Sequence, residues 1–169
     1  MPLTQVPGSM INGTGFASLS GVTFPATQVQ STNANTLDDY EEGTWTPVVT
    51  FSGNSVGQSY VSQSGKYTKI GNQVFLSCII TMTNKGSSTG AAWVTGVPFT
   101  ENGDYGIGWT ALDGGFANIP SNGFGTYGII AGSAIYLRYT TSAGGFTNLD
   151  NTNFTNSSQL YINLFYKTT

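Results

Sequence analysis

The chain has 169 residues, the length of one domain with room for a short extension, and only 8% of them are charged. Five basic residues against eight acidic ones do not provide the cationic surface that nucleic-acid phosphates require. With no histidine and one cysteine, the chain predicts no Ser-His-Asp or Cys-His nucleophile, no internal disulfide and no metal centre. No apolar run reaches the ~18 residues of a membrane-spanning helix. Neither nucleic acid nor a membrane is therefore an expected partner.

Residues that favour strands and turns dominate the composition. Glycine occurs 23 times and aromatic residues make up 13% of the chain, with frequent serine, threonine and asparagine. Gly, Ser and Asn favour turns, whereas Thr, Val, Ile, Tyr and Phe favour strands. Few charges combined with many aromatic rings is the opposite of a disordered composition. We therefore expect an all-β protein with many short strands.

Residues 1–43 differ from the rest and predict an extended N-terminal arm. Their apolar residues are isolated and follow neither the period of a strand nor that of a helix, so this segment does not bury a core of its own. One interpretation is an arm that anchors itself to a partner surface, and the other is a floppy N-terminus. The anchoring residues in the first interpretation are Met10, Ile11, Phe16, Leu19, Val22 and Phe24.

An acidic run at residues 37–43 ends the arm and contains four of the eight acidic residues. Four carboxylates can form an acid/base pair or a calcium site, but the run lacks the alternate-residue ligand spacing of a calcium loop. We interpret it as a solvated turn at the entrance to the domain, where Gly43 allows the backbone to turn.

Residues 44–169 consist of short strand-like segments separated by clusters of Gly, Asn and Ser, without a helical stripe of ten or more residues. Pro47 cannot donate to a ladder, which predicts an edge strand or a bulge there. The pattern predicts a jelly-roll-like β-sandwich. Its strands are predicted at 44–51, 58–61, 66–70, 73–83, 92–95, 105–112, 124–130, 134–140 and 159–167.

Two of these predicted strands, 134–140 and 159–167, carry apolar side chains on both faces. A solvent-facing strand should be polar on its outer face, so either a loop of the same chain covers these residues or another subunit does. Because few charges oppose association, a homo-oligomer is the favoured interpretation. The predicted interface consists of Phe75, Ile79, Tyr136, Tyr161 and Phe165.

Motifs that would indicate catalysis or a cofactor are weak. Residues 123–128 match G-x-G-x-x-G, but a strand and not a helix is expected to follow, which argues against a dinucleotide site. Cys78 alternates with apolar residues and is predicted to be a small buried hydrophobe. We expect no cofactor.

Cleavage of a glycoside by a carboxylate pair is the one chemistry that the composition leaves open. The candidates are Glu101, Asp104, Asp113 and Asp150. The first two candidates lie together in a Gly/Asn loop, but nothing in the spacing shows that the carboxylates converge, so we expect no enzyme activity.

Aromatic residues in Gly- and Asn-rich segments are candidates for glycan contact, because an exposed ring can stack on the face of a sugar. The alternative for each ring is burial in the core. The candidates are Tyr105, Trp109, Phe116 and Phe146.

Two stretches resemble a recurrent module of tailed-bacteriophage virion proteins. One runs from Val22 to Gln28 and continues from Asn33 to Pro47, and it includes the specific run Leu-Asp-Asp-Tyr-Glu-Glu-Gly-Thr-Trp-Thr-Pro; the other runs from Gly65 to Val74. The module occurs at the distal ends of tail fibres and tailspikes and in small stand-alone virion proteins. The similarity covers about residues 22–100 and implies a trimeric β-sandwich on a phage particle, without catalytic residues.

The size of the chain favours one place on such a particle. It contains no heptad run or collagen-like repeat that would form a fibre shaft. We therefore expect a trimeric decoration or cement protein at the virion surface, assembled in the host cytoplasm. Its arm would anchor to the major capsid protein or another virion protein, and its β-sandwich would project outward. The alternative is a tail-fibre or tailspike tip that binds a host-surface glycan; a glycan-cleaving tailspike domain is a third, weaker reading.

Overall fold

The structure, a computed structural model, describes residues 31–33, 35–37, 39–119 and 125–169. In these residues the protein is all-β, as predicted, and its strands form one antiparallel sheet without a helix. No helix that could cross a membrane is found in the same residues. The strands are β1 (Tyr40–Trp45), β2 (Val48–Phe51), β3 (Gln58–Ile70), β4 (Gln73–Lys85), β5 (Ala92–Thr95), β6 (Gly106–Asp113), β7 (Thr126–Ala131), β8 (Ala134–Thr140), β9 (Phe146–Asn148) and β10 (Gln159–Lys167).

The order of strands across the sheet is β1-β3-β4-β10-β6-β7-β8-β5-β2, and β9 pairs with β8. The last strand of the chain, β10, lies between β4 and β6 and therefore joins the two halves of the sheet. Strand β8 pairs with β7 along one edge, and β5 and β9 share its other edge.

The sheet curls because its two edge strands follow each other in the chain. Strands β1 and β2 lie at opposite ends of the strand order, yet only Thr46 and Pro47 separate them. Side chains of β3 then reach the backbone of this region: Gln63 Nε2 donates to Pro47 O at 2.9 Å and Tyr60 OH to Val49 O at 3.4 Å. The single strand predicted at 44–51 is thus two strands, divided at the proline, which has no N–H for a ladder.

The core fills the concave side of the curled sheet, and its residues alternate along the strands as the sequence predicted. Strand β4 buries Val74, Leu76, Cys78, Ile80 and Met82, and β10 buries Leu160, Ile162, Leu164 and Tyr166. Burial raises the pKa of the Cys78 thiol to about 12. The thiol therefore stays protonated at neutral pH and packs as a small apolar group.

Residues 40–43 of the acidic run belong to strand β1, which corrects the interpretation of this part as a solvated turn. Strand β1 begins at Tyr40, so the sheet starts before the predicted boundary at residue 44. Asp39 is buried and accepts a hydrogen bond from Lys69 Nζ. Glu41 accepts a 2.6 Å hydrogen bond from Tyr67 OH, and this bond, with a smaller effect of burial, raises the pKa of Tyr67 to about 12.

Replacing Lys69 with Met should leave the buried Asp39 carboxylate without its partner and lower the free energy of unfolding by about 3–5 kcal/mol. The matched control is Lys167→Met, which breaks an exposed pair whose Nζ and Oδ2 atoms are 3.4 Å apart. This variant should lose less than about 1 kcal/mol. Urea unfolding of both variants measures the difference. Equal losses would show that the buried pair does not hold β1 on the sheet.

Candidate functional site

The convex side of the sheet carries a continuous apolar surface across β4, β10, β6 and β7. The strand register aligns Phe75, Phe165, Ile107 and Ile129 in one row of directly opposed residues. Two further rows run beside it on the same side. We call these side chains the outer face: Phe75, Ser77, Ile79, Ile107, Trp109, Ala111, Tyr127, Ile129, Tyr161, Asn163 and Phe165.

The outer face contains no charged residue and is open to solvent. Trp109 is 81% exposed, Phe165 56% and Phe75 53%. These three rings alone present on the order of 400 Å², and the largest apolar patch on a typical monomer is roughly 300–600 Å². A surface of this size and composition indicates a binding interface.

The first half of strand β6 has large apolar side chains on its solvent side and glycines on its core side, the reverse of an ordinary surface strand. Its core-facing positions include Gly106 and Gly108, while Ile107 and Trp109 point outward. A Cβ atom at Gly106 would lie 2.5 Å from Tyr166 Cβ, and one at Gly108 would lie 2.8 Å from Leu164 Cβ. At these two positions the concave side has no space for a side chain, so Ile107 and Trp109 are on the side that faces water in the single chain, whereas Thr110 and Leu112 further along β6 face the core.

The structure brings the predicted interface residues together on one side of the sheet. Phe75, Ile79, Tyr161 and Phe165 belong to the outer face. Tyr136 lies at its margin on β8, opposite Ile129, with its ring centroid 5.2 Å from that of Trp93. The residues that sequence reasoning missed are Ile107, Tyr127 and Ile129, and it assigned Trp109 to glycan contact. The signal was present as alternating glycine and large apolar residues in β6.

The four candidates for glycan contact do not form one site. Trp109 is central in the outer face, Tyr105 precedes β6 and is 67% exposed, and Phe146 lies on β9. Phe116 is partly buried and packs on the core, with its ring centroid 4.9 Å from that of the buried Phe154. Hydrogen bonds between residues 115–117 and the segment around Phe154 hold the Phe116 ring against the core.

A groove of about 430 Å³ runs along the outer face beside Trp109. Its walls are Trp109 and Tyr127 on neighbouring strands, together with Ile107 and Phe165. The lining is almost entirely apolar, which suits an apolar or aromatic side chain of a partner better than a hydrated ligand.

The carboxylates that sequence reasoning considered for glycoside cleavage have separate structural roles. Glu101 is buried, and its Oε1 accepts hydrogen bonds from the Tyr105 N–H at 2.7 Å and the Gly103 N–H at 2.5 Å. Asp104 pairs with Lys167, and Asp150 accepts from the backbone N–H of Thr152 at 2.7 Å. Asp113 lies at the end of β6. In the part of the chain that the structure describes, no group of three or more acidic or cysteine residues could hold a metal ion.

Some predictions concern residues outside the described ranges. The anchoring residues Met10, Ile11, Phe16, Leu19, Val22 and Phe24 all belong to this part of the chain. The first two residues of the G-x-G-x-x-G match do so as well, and the later ones enter β7. A strand following this motif agrees with the sequence argument against a dinucleotide site.

Comparison of the chain with models of known protein families and with curated proteins gives no match.

Glu101→Gln should remove one of the lone-pair acceptors that hold the loop from Gly103 to Tyr105, because an amide NH₂ would face a backbone N–H. We expect the free energy of unfolding to fall by about 1–3 kcal/mol. Asp104→Asn, in the same loop but exposed, is the matched control and should cost less than about 1 kcal/mol. Urea unfolding checks both values. A Glu101→Gln variant as stable as the wild type would contradict the structural role of this carboxylate.

Proposed function

We propose that this protein is a structural component of a bacteriophage virion, a trimeric decoration (cement) protein on the outer capsid surface. The N-terminal arm would bind the major capsid protein or a neighbouring virion protein. The strand-rich part, arranged as a jelly-roll-like β-sandwich, would project from the shell. The observation that carries the proposal is the uncharged apolar outer face, which another copy of the chain can cover.

Several properties of the outer face support association with a second copy. It combines aromatic anchors with an absence of charge, and stable homo-oligomeric interfaces have this composition. Covering the centre of the outer face would bury no charge, because charged residues of the same orientation, among them Lys66, Arg138, Asp113 and Lys167, lie at its margins. Closed rotational symmetry is the usual arrangement of such contacts.

The resemblance to phage virion proteins also supports a structural role, because the two similar stretches lie side by side in the sheet. Its two stretches contain β1 and the second half of β3, which pair with Tyr40 opposite Ile70 and Trp45 opposite Gly65. The recurrent residues therefore build one pair of neighbouring strands of the sheet. In a shell, many copies of such a module act together, and individually weak contacts then add up.

A receptor-binding tail-fibre or tailspike tip is the second candidate function, and the exposure of Trp109 and Tyr105 favours it. Exposed rings can stack on host-surface glycan. The central position of Trp109 in the uncharged outer face favours a subunit contact for this residue. We therefore place the decoration protein first.

Trp109→Ser and Phe165→Ser should each weaken the trimer at least tenfold in dissociation constant, because truncated aromatic anchors typically cost 2 kcal/mol or more. The matched control is Val61→Ser, at an apolar residue that is 73% exposed but lies outside the outer face. Sedimentation velocity over a concentration series should show a trimer for the wild type and Val61→Ser, and dissociation for the other two. A wild-type monomer at every concentration would refute the assembly.

Deleting residues 1–36 should abolish binding to capsids while leaving a folded trimer, since the described sheet begins after this segment. Co-sedimentation with phage shells that lack the protein measures the binding, and circular dichroism with sedimentation verifies the fold. Quantitative mass spectrometry of whole virions then separates the two candidate functions. A shell decoration requires many copies per particle, and a tail tip only a few.

A further inference from the structure

Arg138, on the convex side of β8, is held in a fixed orientation by β9. Pairing of these strands places it opposite Asn148, whose Oδ1 accepts a 3.0 Å hydrogen bond from Arg138 Nε. The guanidinium carbon lies 4.2 Å from the centroid of the Phe146 ring. The hydrogen bond at Nε and the cation–π contact restrict the guanidinium, and neither one uses the N–H donors of its two Nη groups.

The charge of Arg138 has no acidic partner within the described residues. The two ion pairs formed there belong to Lys69 and Lys167. The one hydrogen bond of the Arg138 side chain to a described residue is the bond from Nε to Asn148. A guanidinium carries five donors, so four N–H groups remain for another ligand.

A groove of about 480 Å³ extends from Arg138 towards the beginning of β6. It is lined by Tyr105, Ile129, Ala131, Tyr136 and Arg138. Ala131 contributes only a methyl group and leaves room above the sheet. The volume is within the range of about 300–1,000 Å³ that is usual for small-ligand sites.

Tyr105 is fixed at the far end of this groove in a strained conformation. Its φ of +52° is uncommon for an aromatic residue. The buried carboxylate of Glu101 stabilises this conformation by accepting the Tyr105 N–H at 2.7 Å. The ring is nevertheless 67% exposed, so the strain presents an aromatic surface to solvent instead of burying it. Backbone strain of this kind is concentrated at ligand sites.

We propose that this groove binds a carboxylate-bearing sugar, such as a uronic or sialic acid residue of an oligosaccharide. Arg138 would bind the carboxylate through its Nη groups, and Tyr105 would stack on a sugar ring. A single cation suits one carboxylate, whereas a nucleic acid would require several cations along its backbone. The groove shares Ile129 with the margin of the outer face, but neither Trp109 nor Phe165 lines it, so the inference does not require the assembly proposed above.

Two probes test the proposal: a tetrasaccharide of alternating glucuronic acid and N-acetylglucosamine, and sialyllactose. The full-length protein should bind at least one of them at millimolar or lower concentration in isothermal titration or NMR titration. The same sugar with its carboxylate reduced to an alcohol should bind at least about tenfold more weakly, and added salt should weaken binding of the acidic form only.

Arg138→Gln should reduce the affinity for the acidic sugar at least about tenfold, and Arg138→Lys should retain part of that affinity. Tyr105→Ser should weaken the binding of the acidic sugar and of the reduced sugar to the same extent. The control is Lys66→Gln, which removes a cation from the opposite margin of the same side of the sheet and should leave binding unchanged. Sedimentation and circular dichroism should show Arg138→Gln folded and still trimeric.

No binding of either probe at millimolar concentration would overturn the proposal, as would equal affinity for the acidic and reduced sugars. Dissociation of the trimer by Arg138→Gln would also overturn it, because the free guanidinium would then belong to a contact between subunits. Failure of these sugar experiments leaves the assembly experiments with Trp109→Ser and Phe165→Ser unaffected, so the two proposals fail separately.

Discussion

Thr46 and Pro47 join two strands that lie at opposite ends of one sheet, and this short connection forces the sheet to curl. Curling gives every strand a concave side, which packs on the core, and a convex side, which does not. Hydrogen bonds from Tyr60 and Gln63 to the backbone of β2 and the link before it hold the two ends together. The buried core and the exposed outer face are both consequences of this constraint.

The residues that resemble phage virion proteins are those that satisfy this constraint. Trp45, at the end of β1, lies over Gly65 of β3, where a Cβ atom would come within 2.5 Å of the indole Cδ1. The indole N–H donates to the backbone at Ser77, one strand further along. Asp39 and Lys69, one from each stretch, form the buried ion pair at the other end of the same two strands. The stretches therefore depend on each other through packing, which explains in physical terms why they would occur together in proteins with one fold.

Local sequence patterns predicted the strands whose alternation is simple, such as β4 and β10, because a period of two is visible without knowledge of any partner strand. The outward position of Trp109 could not be predicted from alternation alone. Large side chains normally mark the core side of a strand, but Gly106 and Gly108 occupy the core side of β6. Only the register against β10 shows that these glycines are required. The acidic run around Asp39 was misread for the same reason, since its buried partner is distant in sequence. Phe116 shows that a residue in a turn-rich segment can still pack on the core.

The distribution of charge on the convex side follows from the cost of removing ions from water. A guanidinium in the centre of an apolar contact would lose its hydration, and the free-energy cost of this loss commonly exceeds the attraction gained from a new ion pair. The centre of the outer face, around Trp109 and Phe165, is uncharged and can be covered by a second copy at little electrostatic cost. Arg138 lies on β8, separated from β10 by β6 and β7 and supported by Phe146 on β9, where it can stay hydrated until a ligand replaces the water. One sheet can thus associate through its centre and bind a ligand at its margin, because the glycines of β6 determine where the large apolar side chains point and β9 determines where the cation lies.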